Sequence, residues 1–196
     1  MQKNEEEEKR EEEAAAKKYR AAMSNGRGHL HEAMIEGACR AYREQGRAYI
    51  IKVPEPFRVI TKNRGRGIAT IQFTAHAQPD YMGIVKNPDG TGSAIAFEAK
   101  YTMSDKLMQK AVTPTQARAL QKISELGGIA GVCAGINDKY FFIPWVVFGD
   151  MKRYYGRQYV TAADVDEYRV KFDGVIWFLD LPPNREPKNM GHITYF

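Results

Sequence analysis

The sequence predicts an α/β fold, a central mixed β-sheet flanked by helices. Three observations predict it. Runs with strand character cluster between residues 47 and 102 and recur at 129–143. Amphipathic stretches at about 30–44 and from 114 onward have helical spacing. The order helix, block of strands, helix, two strands suits a sheet covered on both faces. At 196 residues the chain is long enough for one domain with a real core, residues 24–196, preceded by an arm, residues 1–23.

The arm is rich in Ala, Glu, Lys and Arg and has no apolar stripe, so it reads as a solvated helix or a disordered segment. Ser24-Asn25-Gly26-Arg27-Gly28 reads as a break. The first core helix then presents Leu30, Met34, Ala38 and Ala41 on its buried face, and Gly46 stops it. Arg47–Val53 reads as a strand closed by Pro54 and Pro56. Residues 57–62 and 68–74 read as a hairpin with a glycine-rich basic tip. It carries Arg58, Lys62, Arg64 and Arg66, which serve either to solubilise an edge or to contact phosphates.

A second hairpin pairs 81–86 with 94–102 across the turn Asn87–Gly92. Thr113 caps the next helix, with Pro114 at its first position and Ala117, Leu120, Ile123 and Leu126 as its stripe. Strands follow at 129–136 and 139–143, turned by Asn137-Asp138. Short helices are expected from Pro144 to Met151 and from Thr161 to Tyr168, and a last strand or buried extended run at 175–181.

Composition narrows the function classes. Net charge is +5; residues 1–23 hold six basic and seven acidic residues, so the remainder carries 23 basic against 17 acidic. That balance suits a polyanionic partner. No apolar run is long enough to span a membrane, and the glutamate-rich N-terminus does not read as a signal peptide. Cys39 and Cys133 lack metal-ligand spacing and read as buried cytosolic thiols. His29 and His31 are two apart and do not match a zinc pattern; no phosphate-binding Gly-x-x-x-x-Gly-Lys loop is present.

The chemistry-bearing stretch is 94–102. Alternation puts Ile95, Phe97, Ala99 and Tyr101 on one face and Ala96, Glu98 and Lys100 on the other. Glu98 and Lys100 then stand roughly 6–7 Å apart along the strand. A salt bridge on an exposed edge explains that pair taken alone. Asp80 lies eighteen residues upstream of Glu98, after Pro79. Two carboxylates and a carbonyl offer hard oxygen ligands to Mg²⁺, and a lysine beside them can orient water and offset charge on a phosphate. Glu32 suits the start of a helix through the dipole alone. Gln116 reads as an exposed helix residue, or as a polar group reaching towards Lys100. Lys152, Arg153 and Arg157 interleave with Tyr154 and Tyr155, a mix found in nucleic-acid surfaces and in ordinary loops.

Pro-Asp followed by a hairpin ending in Glu-x-Lys resembles the PD-(D/E)xK nuclease superfamily. From about Gly26 onward the chain resembles, more closely, the RecU-type Holliday junction resolvases of Gram-positive bacteria and their phages. The carriers are Gly28-His29-Leu30-His31-Glu32, Gly46-Arg47-Ala48, Asp80-Tyr81-x-Gly83, Phe97-Glu98-Ala99-Lys100 and the Gln116 helix, followed by Tyr140-Phe141, Gly156-Arg157 and 164–167. The resemblance implies a restriction-endonuclease-like core with a protruding stalk at 57–75. It implies a Mg²⁺-dependent endonuclease, Mn²⁺ being the alternative ion, that resolves four-way DNA junctions by paired nicks leaving 5′-phosphates. Asp80, Glu98, the Ala99 carbonyl and Glu32 would hold the metal, Lys100 would act on water, and Gln116 would orient water or phosphate. It further implies a cytoplasmic homodimer, with recombinase or branch-migration proteins as further partners.

Overall fold

The computed structural model describes residues 2–54, 57–63, 68–73 and 78–180. Five strands form the central sheet in the order β1 (Ala48–Lys52), β4 (Tyr81–Lys86), β5 (Gly92–Thr102), β7 (Ile129–Ile136), β8 (Lys139–Pro144). Only β5 and β7 run parallel; the other neighbours are antiparallel. The sheet is therefore mixed, as the sequence predicts. β7 and β8 join through Asn137 and Asp138 at φ 48° and 60°, the left-handed pair that a two-residue hairpin turn requires.

Helix α1 (Gln2–Glu44) covers one face. It ends in a Schellman arrangement: Gly46 sits at φ +68°, its N–H donates to Arg43, and the Arg47 N–H donates to Tyr42. Helix α2 (Pro114–Glu125) covers the other face over β5 and β7. Its start is a full capping box, with Thr113 and Gln116 bonding reciprocally and Pro114 at the first position. Two cores result. Ile35, Tyr42, Tyr81, Ile95, Phe97 and Phe178 pack under α1; Ala96, Leu120, Val132, Phe141, Phe148 and Val165 pack under α2. Tyr81 and Phe97 stack at 4.9 Å. Each fully buried large side chain of this kind is worth about 2–3 kcal/mol.

Several expectations need correction. The Ser24–Gly28 break is absent, and α1 runs straight through it. A helical glycine costs only about 1 kcal/mol, and the Arg27 side chain docks this turn, bonding Asp138 at 2.9 Å and the Tyr101 hydroxyl at 3.1 Å. The buried face of α1 is also rotated. Leu30 is 58 % exposed, while His31, Ile35, Ala38, Cys39 and Tyr42 are buried. His31 sits between the rings of Tyr101 and Tyr140, and burial pulls its pKa down to about 4. The Tyr42 hydroxyl donates to Asp180 and accepts the Leu179 N–H, and Arg47 grips the same carboxylate at 2.7 Å. This knot fastens the 176–180 segment to the α1–β1 joint.

The segment from Pro144 to Met151 is not one helix. β8 ends at Pro144, α3 is Trp145–Phe148 and α4 is Met151–Tyr155. Of 161–168, only Asp166–Tyr168 forms a short 3₁₀ turn; Asp164 accepts from the Thr161 N–H and hydroxyl as a cap would, but no α-helix continues from it. Of the strand or buried extended run expected at 175–181, the strand is β11 (Ile176–Trp177), paired with β10 (Lys171–Phe172). β6 (Leu107–Met108) pairs with β9 (Tyr159–Val160).

The hairpin of β2 (Phe57–Asn63) and β3 (Ile68–Phe73) is a two-stranded sheet separate from the central one. Its register slips between Val59 and Thr61. Phe57, Val59, Ile60 and Ile71 are all exposed on it. Arg58 donates across the strands to the Gln72 side chain at 2.8 Å. Lys62 lies in β2 opposite Ala69. Arg64 and Arg66 lie outside the described residues.

Candidate active site

Asp80 ends the segment that enters β4, and the antiparallel register pairing Tyr81 with Phe97 sets Asp80 across from Glu98. Alternation along β5 then turns Glu98 and Lys100 to the α2 side, while Phe97 and Ala99 pack under α1. The structure thus brings together four of the residues that sequence singles out: Asp80, Glu98, Lys100 and Gln116. Lys100 Nζ lies 2.8 Å from Glu98 Oε2 and 3.4 Å from Asp80 Oδ2. The Ala99 N–H donates to Asp80 Oδ2 at 3.0 Å, fixing that carboxylate to the middle of β5. Gln116 Nε2 donates to Glu98 Oε2 at 2.6 Å.

Gln116 is not an exposed helix residue; it is buried. Its Oε1 accepts from the Thr113 N–H and hydroxyl while its amide nitrogen holds Glu98. The α2 cap and the carboxylate are therefore one hydrogen-bonded unit.

Glu98 is fully buried, and its Oε1 has no hydrogen-bond partner. Burial pushes its carboxyl up to about 7; Asp80 adds to the rise and Lys100 opposes it. A buried carboxylate oxygen with no donor is costly, and a cation supplied from outside would relieve it. Burial pulls the Lys100 ammonium down, but the two carboxylates prevail and hold its pKa above the usual value. Lys100 is therefore a positive charge at neutral pH, suited to donating hydrogen bonds and unsuited to accepting a proton.

The oxygens of Asp80 and Glu98 fit a hard divalent cation in kind. Glu32 does not join them. It lies on α1, across the sheet from Glu98, where Lys52 holds it at 2.9 Å and also reaches Glu36 at 3.3 Å. Among the described residues no group of three or more His, Cys, Asp or Glu side chains is placed to hold a metal. Among the described residues, Asp80 and Glu98 are the side-chain carboxylates placed together at this site.

Lys152 and Arg153 are exposed on α4. Arg157 is committed inward, to Asp164 and over the Tyr159 ring at 4.8 Å. Two contributors escaped the sequence reading. Gly83 brings β4 against β1 so closely that a Cβ there would meet the Tyr49 carbonyl oxygen at 2.1 Å; the glycine in Asp-Tyr-x-Gly was the available signal. Lys52 as the partner of Glu32 left no signal, because the pairing depends on which face α1 covers.

No curated protein matches the chain. Among solved structures, Hjc from Archaeoglobus fulgidus, described as a Holliday junction resolvase from an archaeal hyperthermophile, aligns at a TM-score of 0.39 and 14 % identity. That alignment covers 68 % of this chain and 90 % of Hjc. The family model described as Recombination protein U matches residues 26–178. That span contains every residue of the site described above, and the chain belongs to the Recombination protein U family.

Proposed function

We propose that this protein is a Mg²⁺-dependent, structure-selective DNA endonuclease that resolves Holliday junctions by symmetric paired nicks. The observation that carries the reading is the cluster of Asp80, Glu98, Lys100 and Gln116, with a buried, unpartnered oxygen on Glu98. Family membership supports a role in recombination. Asp80 and Glu98, with the Ala99 carbonyl, would hold the ion. The bound ion would supply Lewis acidity and a hydroxide-like water near neutral pH.

The chain's own residues do the rest. Asp80 is kept in place by the Ala99 N–H, and Glu98 by Gln116. The Lys100 ammonium orients the attacking water and offsets charge growing on the phosphate; it does not serve as the base. Gln116 acts by positioning Glu98, and Thr113 by fixing the Gln116 amide. Glu32, held by Lys52, contributes charge at the back of the sheet. Hydrolysis that leaves the phosphate on the 5′ side would give 5′-phosphomonoesters.

Paired nicks require two sites, so the working form would be a homodimer. Tyr49, Ile51, Met82 and Ile84 support that reading, because they form an exposed apolar strip on the β1–β4 part of the sheet. The basic hairpin, with Arg58, Lys62, Arg64 and Arg66, would enter the junction centre, and Lys152 and Arg153 would track an arm. Cytoplasmic action beside recombinase or branch-migration proteins completes the proposal; no described helix is long and apolar enough to cross a membrane. End-labelled junctions test it. Nicks at symmetry-related positions, with ends that a ligase reseals directly, are expected; unpaired nicks or ends that need prior phosphorylation would contradict it.

A further inference from the structure

On the other side of the first turn of α2 lies a cavity of about 260 Å³ that the catalytic cluster does not use. Its walls are Met108, Val112, Pro114, Ala117 and Trp145. Two of the polar groups beside it are engaged, the Trp145 N–H with Gln121 at 2.8 Å and the Gln109 amide with the Gly149 carbonyl; Gln158 adds a further amide to the lining. The walls are therefore mostly, not wholly, apolar. The rim is cationic. Lys110 stands at the mouth, and Lys106, Lys152 and Arg153 are exposed on the flanking segments. None of these four makes a salt bridge to a described carboxylate. Asp150 and Asp105, the nearby acids, accept instead from the Arg153 backbone and the Asn137 amide. Pro114 lines the cavity, and Gln116, two residues on, holds Glu98. The cavity and the carboxylates thus flank one helical turn.

A mostly apolar slot with a cationic mouth matches a nucleotide, a flat apolar body on an anionic tether. We propose that this cavity receives one unstacked base of the DNA strand being cut, with Lys110 on that nucleotide's phosphate. The inference rests on the nuclease reading above. A branch point supplies bases that are already poorly stacked, so extruding one costs least there. Burial against the slot's walls offsets that cost. The slot would make cleavage depend on the identity of that base, giving a junction-selective enzyme a sequence preference at one position near the nick.

The test uses four-way junctions carrying a single 2-aminopurine at successive nucleotides around the mapped nick. They are bound to the full-length Glu98→Gln protein, while nicking is followed with the wild type. One position is expected to brighten severalfold on binding. Ala117→Phe, which fills the slot, should abolish the brightening while the junction stays bound. Lys110→Ala, an exposed change that leaves the fold intact, should reduce it and lower the slope of log affinity against log salt by about one. If the junction is bound and nicked but no position brightens, or if both variants keep the brightening, the slot assignment is wrong and the nuclease reading stands. If wild type neither binds nor nicks a junction, the nuclease reading fails and takes the slot with it.

Discussion

In the metal-free protein, Glu98→Gln is expected to raise stability while abolishing cleavage. Burial lifts the Glu98 carboxyl from 4.5 to about 7. A shift of that size corresponds to about 3 kcal/mol between protonation states. The sign follows from linkage. The folded protein holds the extra proton, so Glu98 contributes fully below 4.5, and its contribution is lost as pH rises through about 7. The neutral amide removes that pH dependence and still accepts from Gln116 through its oxygen; Lys100 keeps Asp80 as partner. Urea unfolding of both proteins in chelator, across the range from acid to mildly alkaline pH, reads the difference directly. Wild type should fall behind the variant by about 3 kcal/mol across that window. Titrating groups outside the Asp80–Glu98–Lys100 cluster are common to both chains and cancel. Mg²⁺ should then stabilise wild type, by about 2.7 kcal/mol at a hundred times its Kd, and leave the variant unmoved. A stability difference that does not change with pH would refute the claim that Glu98 is held desolvated.

Two further outcomes follow from the fold. Burial holds the His31 pKa near 4, so its contribution is present above about 6.5 and lost as pH falls through about 4. About 3 kcal/mol of acid lability should therefore disappear in His31→Phe, read as a flatter denaturation midpoint against pH; unchanged acid lability would mean that His31 is not buried neutral. Gly83→Ala should destabilise by about 3 kcal/mol, because the new methyl would meet the Tyr49 carbonyl and the Ile50 Cα at 2.7 Å and force β1 from β4. Wild-type stability in that variant would remove the close-approach argument.

The parts of the site that were legible in the sequence are those set by local rules. Period-two alternation put Glu98 and Lys100 on one face, and a hairpin of ordinary length set Asp80 opposite. The Thr113 cap fixed where α2 starts, and with it the height of Gln116. Illegible features depend on partners distant in the chain. Arg27 carries α1 through two glycines because Asp138, 111 residues on, receives it. Glu32 and Glu98 sit on opposite faces of the sheet, and nothing local says which face α1 will choose. Helical spacing puts Leu30 on the buried face and leaves His31 and Tyr42 off it, yet the hydroxyl of Tyr42 finds Asp180 and Leu30 faces water. Residues 175–181 read as a strand or a buried extended run because most are apolar; only Ile176–Trp177 pairs as β11, and the residues that follow, up to Asp180, are held by the Tyr42–Arg47–Asp180 knot.

The proposed function makes Asp80, Glu98 and Lys100 a metal-dependent site that cuts branched DNA. The most direct measurement incubates the purified protein with a mobile four-way junction and a matched linear duplex, with and without Mg²⁺, beside Glu98→Gln. The expected result is paired symmetric nicks in the junction alone, only with Mg²⁺, and none from the variant. Binding of the junction without cutting, or cutting that survives Glu98→Gln, would contradict the proposed function; equal cutting of both substrates would retain the metal site and remove junction selectivity.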